Sequence, residues 1–321
     1  MNLKSFRKGV HPYGGKELSK DCEIKSIAAG SVMVYPLSQS IGAPAKAVVR
    51  VGDRVLKGQL IAEADGFISA PIYSSVSGVV KKIEKRLVTN GSMVESVVIE
   101  NDGADEAVPN FGAPRDVSNL TQDEILDIIK ESGIVGLGGA GFPTSVKLAP
   151  KNPLDIDTLI INGAECEPYL TSDYRLMLEK ADEIVKGIQV ILKLLPNAKA
   201  VIGIENNKAD AIKLLEDKTS GEEKISVQPL KTKYPQGGER QLIFAVTGRK
   251  LNSKILPADK GCIVVNTASC YAIYEAVYLN MPLIHRVMTI TGEAVNSPCN
   301  VDVLLGMSHR EVLEACGGAK D

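Results

Sequence analysis

Tryptophan is absent from the chain, and aromatic residues make up only 4% of it. That argues against an aromatic-lined sugar groove or a stacking platform for single-stranded nucleic acid. Histidine is also scarce: His11, His285 and His309 are the only three. A Ser-His-Asp hydrolase or a His-ligated zinc enzyme is therefore disfavoured. Six cysteines occur, Cys22, Cys166, Cys262, Cys270, Cys299 and Cys316, and none form a C-x-x-C pair. No zinc ribbon, ferredoxin-type cluster or thioredoxin motif is visible, and the scatter reads as reduced, mostly buried thiols. No apolar run approaches the roughly 20 residues needed to span a bilayer. The first nine residues lack the apolar core of a signal peptide. These readings place the chain in the cytoplasm, with any membrane role peripheral. A long basic run is also missing and net charge is -2, so a nucleic-acid partner is disfavoured.

What is present fits a multidomain globular chain. The 321 residues are 44% hydrophobic and 24% charged, enough for two or three domains. Residues 1–30 read as an arm with little regular structure, turn-rich at His11-Pro-Tyr-Gly-Gly15; His11 reads as a surface or packing residue. Residues 31–103 read as all-β, with short apolar stretches separated by turn signals. Val51–Ala62, Ser69–Ile72 and Ser77–Val80 resemble the barrel-sandwich hammerhead of biotinyl and lipoyl domains. A carrier of that kind needs a lysine at its hairpin tip. The corresponding tip, Glu63–Phe67, has none, so the module reads as a docking or packing domain. A Pro- and Gly-rich linker follows over 104–118.

Residues 119–280 alternate helix and strand. Thr121-x-x-Glu124 is a capping box for an amphipathic helix that Gly133 ends. Thr144 is expected to cap a short helix over Ser145–Leu148. Thr171–Leu195 reads as one long amphipathic helix. Strands are expected at Asp157–Ile161, Ala200–Ile204, Ile225–Pro229 and Gly261–Val265, and helices at Lys208–Glu216, Gly238–Val246 and Ala268–Leu279. The alternation implies an α/β domain with a mostly parallel sheet covered on both faces. Ligands of such sheets collect beyond the carboxyl ends of the strands. The tail, 281–321, reads as strand, strand and helix, a small β-grasp module.

Three glycine-bearing loops are candidate sites. Ile134–Thr144 contains Gly136-x-Gly138-x-x-Gly141, the spacing of the dinucleotide fingerprint. Its context is wrong for that motif, since a helix and not a strand precedes it. Glycine amides ahead of a helix start still suit an anion, and Lys147 in the first turn of that helix hints at a phosphate; a structural turn with a solvated lysine is the plain alternative. The second loop, Asn162-Gly-Ala-Glu-Cys-Glu-Pro168, follows a strand. Asn162, Glu165 and Glu167 there suit hydroxyls, a nicotinamide or a metal, or form a solvated polar turn. Cys166 reads as a packed thiol, since neighbouring carboxylates raise its pKa. The third, Tyr234–Ile243, opens a helix with Gly237-Gly238, and Glu239 lies in its first turn, where the helix dipole stabilises a carboxylate. Glycine-lined loops without a histidine base suit a bound cofactor that carries the chemistry.

At these three motifs the chain resembles the RnfC family, subunits of the Rnf electron-transport complex. Gly-Leu-Gly-Gly-Ala-Gly-Phe-Pro-Thr, Ile-Asn-Gly-Ala-Glu-Cys-Glu-Pro-Tyr-Leu-Thr and Tyr-Pro-Gln-Gly-Gly-Glu-Arg-Gln-Leu-Ile occur in that order, and the likeness extends over about residues 5–318. Relatives include the proline-reductase-associated electron-transfer protein and, more distantly, the flavoprotein subunit of complex I. The resemblance implies FMN as cofactor and NADH as substrate, with the flavin and no side chain carrying the chemistry. Gly136, Gly138, Gly139 and Lys147 would hold FMN. Asn162, Glu165 and Cys166 would line its ribityl and ring side, Gly237, Gly238 and Glu239 would close the site, and Asn266 and Thr267 would lie near the phosphate or ring. Phe142 and Glu167 would meet NADH. The tail would be a soluble-ligand-binding β-grasp.

Departures from the complex I pattern are Ala164 for an aspartate, Cys166 for a serine and Gly238 for a glutamate. Members of the RnfC family continue past the Ala-Cys-Gly-Gly near Cys316 into a segment with two iron–sulfur cluster motifs. Clusters are therefore expected only in a missing C-terminal segment or on a partner. Expected partners are other subunits of an electron-transfer complex or a reductase. Three alternatives stand beside an NADH-oxidising subunit: a soluble donor to a reductase such as proline reductase, toward which Tyr174 hints; a non-catalytic docking subunit; and a Rossmann dehydrogenase, which would need a sheet strand ending at Val135.

Overall fold

The computed structural model describes residues 3–320. The β-rich module contains β2 (Val32–Pro36), β3 (Lys46–Ala47), β4 (Arg54–Val55), β5 (Leu60–Glu63), β6 (Ile72–Tyr73), β7 (Gly78–Leu87) and β8 (Met93–Asn101), which follow β1 (Ile24–Ser26). One sheet runs β2-β8-β7-β4 and a second β3-β5-β6. Their facing sides bury Met33, Tyr35, Ile61, Val80, Val97 and Ile99, the alternation expected of sheets with one dry face. The tip between β5 and β6 carries Phe67, 82% exposed.

The central domain begins with α1 (Gln122–Glu131). Thr121 Oγ1 accepts from the Glu124 amide, and the Glu124 carboxylate returns the bond to the Thr121 amide, so the capping box is formed. After the glycine loop come α2 (Thr144–Leu148), β9 (Thr158–Gly163), α3 (Ser172–Glu179), α4 (Ala181–Leu194), β10 (Lys199–Glu205), α5 (Ala209–Thr219), β11 (Ile225–Leu230), α6 (Glu239–Thr247), β12 (Cys262–Asn266) and α7 (Thr267–Leu279). The four strands pair in parallel in the order β11-β10-β9-β12. The middles of β9 (Leu159–Ile161) and β12 (Ile263–Val265) are wholly apolar, as strands covered on both faces must be. One face packs on α1, α3, α4, α5 and α7 around Ile161, Ile184, Ile188 and Ile273. The other packs on α6 through Leu242 and Ile243. Between α4 and α7 the helices approach closely at Gly187, where a Cβ would lie 2.0 Å from the Cys270 carbonyl oxygen.

Several expectations need correction. The single helix expected over Thr171–Leu195 is two, broken at Lys180, whose φ of -131° and ψ of 32° leave the helical region. Thr144 does not cap α2: Pro143 occupies that position without a side-chain bond, and Thr144 is the first helical residue. Helix α2 has only five residues and Lys147 falls in its last turn, so the dipole argument for an anion beside it loses its force. In addition, no sheet strand ends at Val135. That residue makes only an isolated antiparallel bridge to Pro143, and the Rossmann alternative falls.

The tail supplies β13 (His285–Ile290), β14 (Cys299–Leu304) and α8 (His309–Ala315). Ser308 and Glu311 cap α8 reciprocally. The third strand of this sheet is β1, from the expected arm, parallel to β14 with Ile24 opposite Asn300. The arm, expected to hold little regular structure, thus completes the last sheet. Further upstream it runs along the central domain, with bridges Lys4–Leu230 and Val10–Tyr234.

Candidate functional site

The strand order places a topological switch between β9 and β12, since the chain leaves β9 toward β10 and β11 and then crosses to β12 on the other side. Loops beyond the carboxyl ends of these two strands diverge and leave a crevice. A cavity of about 290 Å³ lies there. Asn162 near the end of β9 and Asn266 at the end of β12 are register partners across the switch. Asn162 Nδ2 donates to the Gly237 carbonyl (2.9 Å) and its Oδ1 accepts from the Ala164 amide (3.2 Å), locking two of the three loops together. Asn266 Oδ1 accepts from the Ala268 amide at the start of α7 (2.9 Å), and Asn266 Nδ2 donates to Asp173 (2.6 Å).

The glycine loop closes another side. Gly136 N–H donates to the Phe142 carbonyl (2.9 Å) and Thr144 N–H to the Ile134 carbonyl (2.9 Å), so the loop doubles back on itself. Ser269 Oγ on α7 accepts from the Leu137 amide (3.0 Å) and fixes it over the cavity. A Cβ on Gly138 would come within 2.9 Å of Asn266 Nδ2, whereas a Cβ on Gly139 would meet no atom within 4 Å. Only glycine fits at 138 for reasons internal to the chain; at 139 the backbone borders open space.

Of the residues singled out from sequence, Gly138, Gly139, Asn162, Glu165, Glu167, Gly237 and Asn266 line this one cavity. Gly136, Phe142, Cys166, Gly238, Glu239, Thr267 and Lys147 do not. Cys166 lies behind, buried, with its sulfur accepting from the Gly237 amide (3.2 Å); burial pushes its thiol pKa up, with the Glu167 charge adding. Lys147 Nζ donates to the Val264 carbonyl (3.0 Å) and pairs with Glu239 (3.3 Å). Thr267 heads α7, fully buried, and its Oγ1 has no hydrogen-bond partner.

The lining also holds residues that no sequence motif singles out: Asp173 on α3 and Arg286 on β13. Burial and the neighbouring Glu165 charge push Asp173 up to about 7. Glu165 Oε1 accepts from the Asp173 amide (2.7 Å) while Oε2 has no hydrogen bond. Burial raises the Glu165 pKa, opposed by Lys208 and Lys16. Lys208 is itself 1% exposed, and its Nζ donates to the Ala164 carbonyl (2.7 Å); burial lowers its pKa. Glu205, 3.9 Å from Lys208, is raised by burial to about 7. Arg286, Lys208 and Glu205 come from elements distant in sequence, and Asp173 lies on the helix after the second loop, so no loop motif signals them. Among the described residues, no group of three or more His, Cys, Asp or Glu is arranged to hold a metal ion.

A cavity at the switch point of a parallel sheet, walled by glycine backbone, amides and carboxylates, defines a nucleotide-cofactor protein of the α/β class. Likeness to known proteins narrows this. Residues 129–275 match the family described as Nuo51 FMN-binding domain, 4–104 the RnfC barrel sandwich hybrid domain, and 287–321 the SLBB domain. The RnfC-type subunit of the proton-translocating ferredoxin:NAD(+) oxidoreductase complex of Clostridium ljungdahlii is 46% identical, over 99% of this chain and 70% of that protein. Its counterpart in the Na(+)-translocating ferredoxin:NAD(+) oxidoreductase complex of Acetobacterium woodii is 40% identical, over 99% and 72%. The counterpart in the ion-translocating oxidoreductase complex of Rhodobacter capsulatus is 40% identical over 98% of this chain and 61% of that protein. The chain belongs to the RnfC family of Rnf complex subunits. A solved NAD+-reducing NiFe hydrogenase superposes with a TM-score of 0.52 at 20% identity, covering 61% of this chain and 39% of the other, and so shares the fold.

Proposed function

We propose that this chain is the NADH-oxidising flavin subunit of an Rnf-type ferredoxin:NAD oxidoreductase, with FMN held in the cavity between β9 and β12. The observation that carries this is the convergence of all three glycine-bearing loops on one cavity at the switch point. The residues present fit the group. The amides of Asn162 and Asn266 and the carboxylates of Glu165 and Asp173 suit ribityl hydroxyls and ring edges. Glu165 Oε2, on the lining, is a buried oxygen without a hydrogen bond. Gly139 leaves backbone bare on the open side. Arg286 brings a cation to the lining, which suits a phosphate.

Bound FMN would accept a hydride from NADH and pass electrons on singly. The chain itself would bind, orient and exclude water. Glu167, exposed at the rim, and Phe142 are the residues we assign to the nicotinamide nucleotide. Iron–sulfur centres would receive the electrons in further sequence or on other subunits. No helix among the described residues is long and apolar enough to cross a membrane, and we place the chain peripherally, docked to the other subunits at the cytoplasmic face.

The proline-reductase alternative gains no support. Tyr174 is 8% exposed and its hydroxyl donates to Asp210 (2.6 Å), a packing role. The docking-only alternative leaves the cavity and its polar lining without a use. Purified chain incubated with FMN and desalted should stay yellow, and anaerobic NADH should bleach it. Loss of flavin on desalting, or colour that NADH leaves unchanged, would sink the proposal.

A further inference from the structure

Glu165, Glu167 and Leu170 line the cavity from one loop, and the backbone of that loop, 165–170, is strained at two positions. Glu165 has a φ of 44° and Tyr169 a φ of 67°, the left-handed region that residues with a Cβ occupy only at an energetic cost. Such a conformation persists only where the surroundings hold it. Here one side chain that belongs to neither the central domain nor the β-rich module holds three points of the loop. Lys16, in a short 3-10 turn of the N-terminal arm, donates from Nζ to the carbonyls of Glu165 (3.0 Å), Glu167 (3.0 Å) and Leu170. The same nitrogen lies 3.8 Å from Glu165 Oε2, the oxygen without a hydrogen bond. The three donors of one ammonium thus serve three carbonyls spaced along the loop.

The arm's backbone adds to the grip. The Tyr169 amide donates to the Gly14 carbonyl (2.6 Å). Gly15 sits under the Tyr169 ring so closely that a Cβ would lie 2.5 Å from it, and its φ of 61° favours glycine independently. On the far side the Tyr169 hydroxyl donates to Glu293 of the last module (2.9 Å).

We infer that Lys16 is a positioning residue of the nucleotide site: through its bonds to the 165–170 backbone and its charge beside Glu165, it holds this lining loop in its binding shape. The arm is then a working part of the site and not a leader to the β-rich module. The inference rests on the FMN reading for its ligand, but not for its geometry.

The test uses the whole chain and two variants. Lys16→Met removes the ammonium and keeps the length of the side chain. Lys4→Met removes another arm contact, the bond from Lys4 Nζ to the Val246 carbonyl (2.8 Å), among residues that do not line the cavity. Amide hydrogen exchange over 163–171 is measured without ligand, and FMN affinity by quenching of flavin fluorescence. Lys16→Met should speed exchange in that segment at least tenfold and weaken FMN tenfold or more. Lys4→Met should leave both near the unsubstituted values, and Lys16→Arg should restore part of the affinity. Equal effects of Lys16→Met and Lys4→Met, or unchanged exchange in Lys16→Met, would overturn the assignment. Absence of FMN binding by the unsubstituted chain would overturn the FMN reading instead, and the exchange result would still decide the role of Lys16.

Discussion

Asn266 Nδ2 donates to Asp173 Oδ2 across 2.6 Å, joining the end of β12 to the first turn of α3 on the wall of the cavity. The bond favours the charged carboxylate, yet burial and Glu165 outweigh it and leave Asp173 near 7.

That balance predicts a pH effect. The folded pKa lies above the ordinary 3.8, so the folded state binds the extra proton. Stability from this group is complete below pH 3.8 and is lost as pH rises through 7. Asp173→Asn keeps a carbonyl for Asn266 and removes the loss. Thermal melts should show the variant more stable than the unsubstituted chain at pH 8, by about 1 kcal/mol or more, and equal to it near pH 4. A constant difference across that range would contradict the assignment.

His285 bridges two modules and titrates in another window. Its Nδ1 lies 2.6 Å from Asp302 on β14 and its Nε2 3.0 Å from Glu275 on α7. Burial pulls its pKa down, but hydrogen bonds to Asp302 and Glu275 more than offset this and hold it at about 10. Stability from the imidazolium is complete below its ordinary pKa of 6.5 and is lost as pH rises through 10. His285→Gln should therefore cost most near pH 6 and least near pH 10, by urea titration at each pH.

The two glycines of the loop should separate folding from binding. Gly138→Ala drives a Cβ against Asn266 and should lower Tm and flavin affinity together. Gly139→Ala meets nothing within 4 Å. Its Tm should stay within about a degree, while FMN affinity falls about tenfold, or about 1.4 kcal/mol. Full affinity in Gly139→Ala would show that this backbone does not face the ligand.

Gly187→Ala should be a severe core variant with no direct effect on the cavity lining. The new Cβ would press on the Cys270 carbonyl of α7, and helix backbone cannot yield as a side chain can. Overpacking of this kind costs about 2 kcal/mol or more, readable as a lower urea midpoint at unchanged slope.

The β-rich module, the parallel sheet and the three glycine-bearing loops were legible because each is written locally. Period-2 apolar stretches, capping residues and glycine clusters need only neighbours to be read. Asn162 stands out in its loop and Asn266 through the family resemblance, though nothing in the chain says that they face each other in register. The break at Lys180 was hidden because the apolar periodicity runs on through it and no glycine or proline marks it. Lys16, Lys208 and Arg286 were illegible for a different reason. Each is an ordinary charged residue until the fold brings it to a loop it does not belong to. Their contacts give them their character, Lys16 at the 165–170 carbonyls, Lys208 at the Ala164 carbonyl and Arg286 at the cavity lining, and such contacts are not a local property.

Strand β1 has one more consequence. Ile24–Ser26 pairs with Asn300–Asp302, so a segment made early by the ribosome waits for its sheet partner until residue 302 has been translated. The last sheet is thus assembled late, by capture of a waiting N-terminal strand. Expressing 281–321 alone would leave β14 with an unpaired edge, whereas a chain with Ile24–Ser26 fused ahead of the tail could close it.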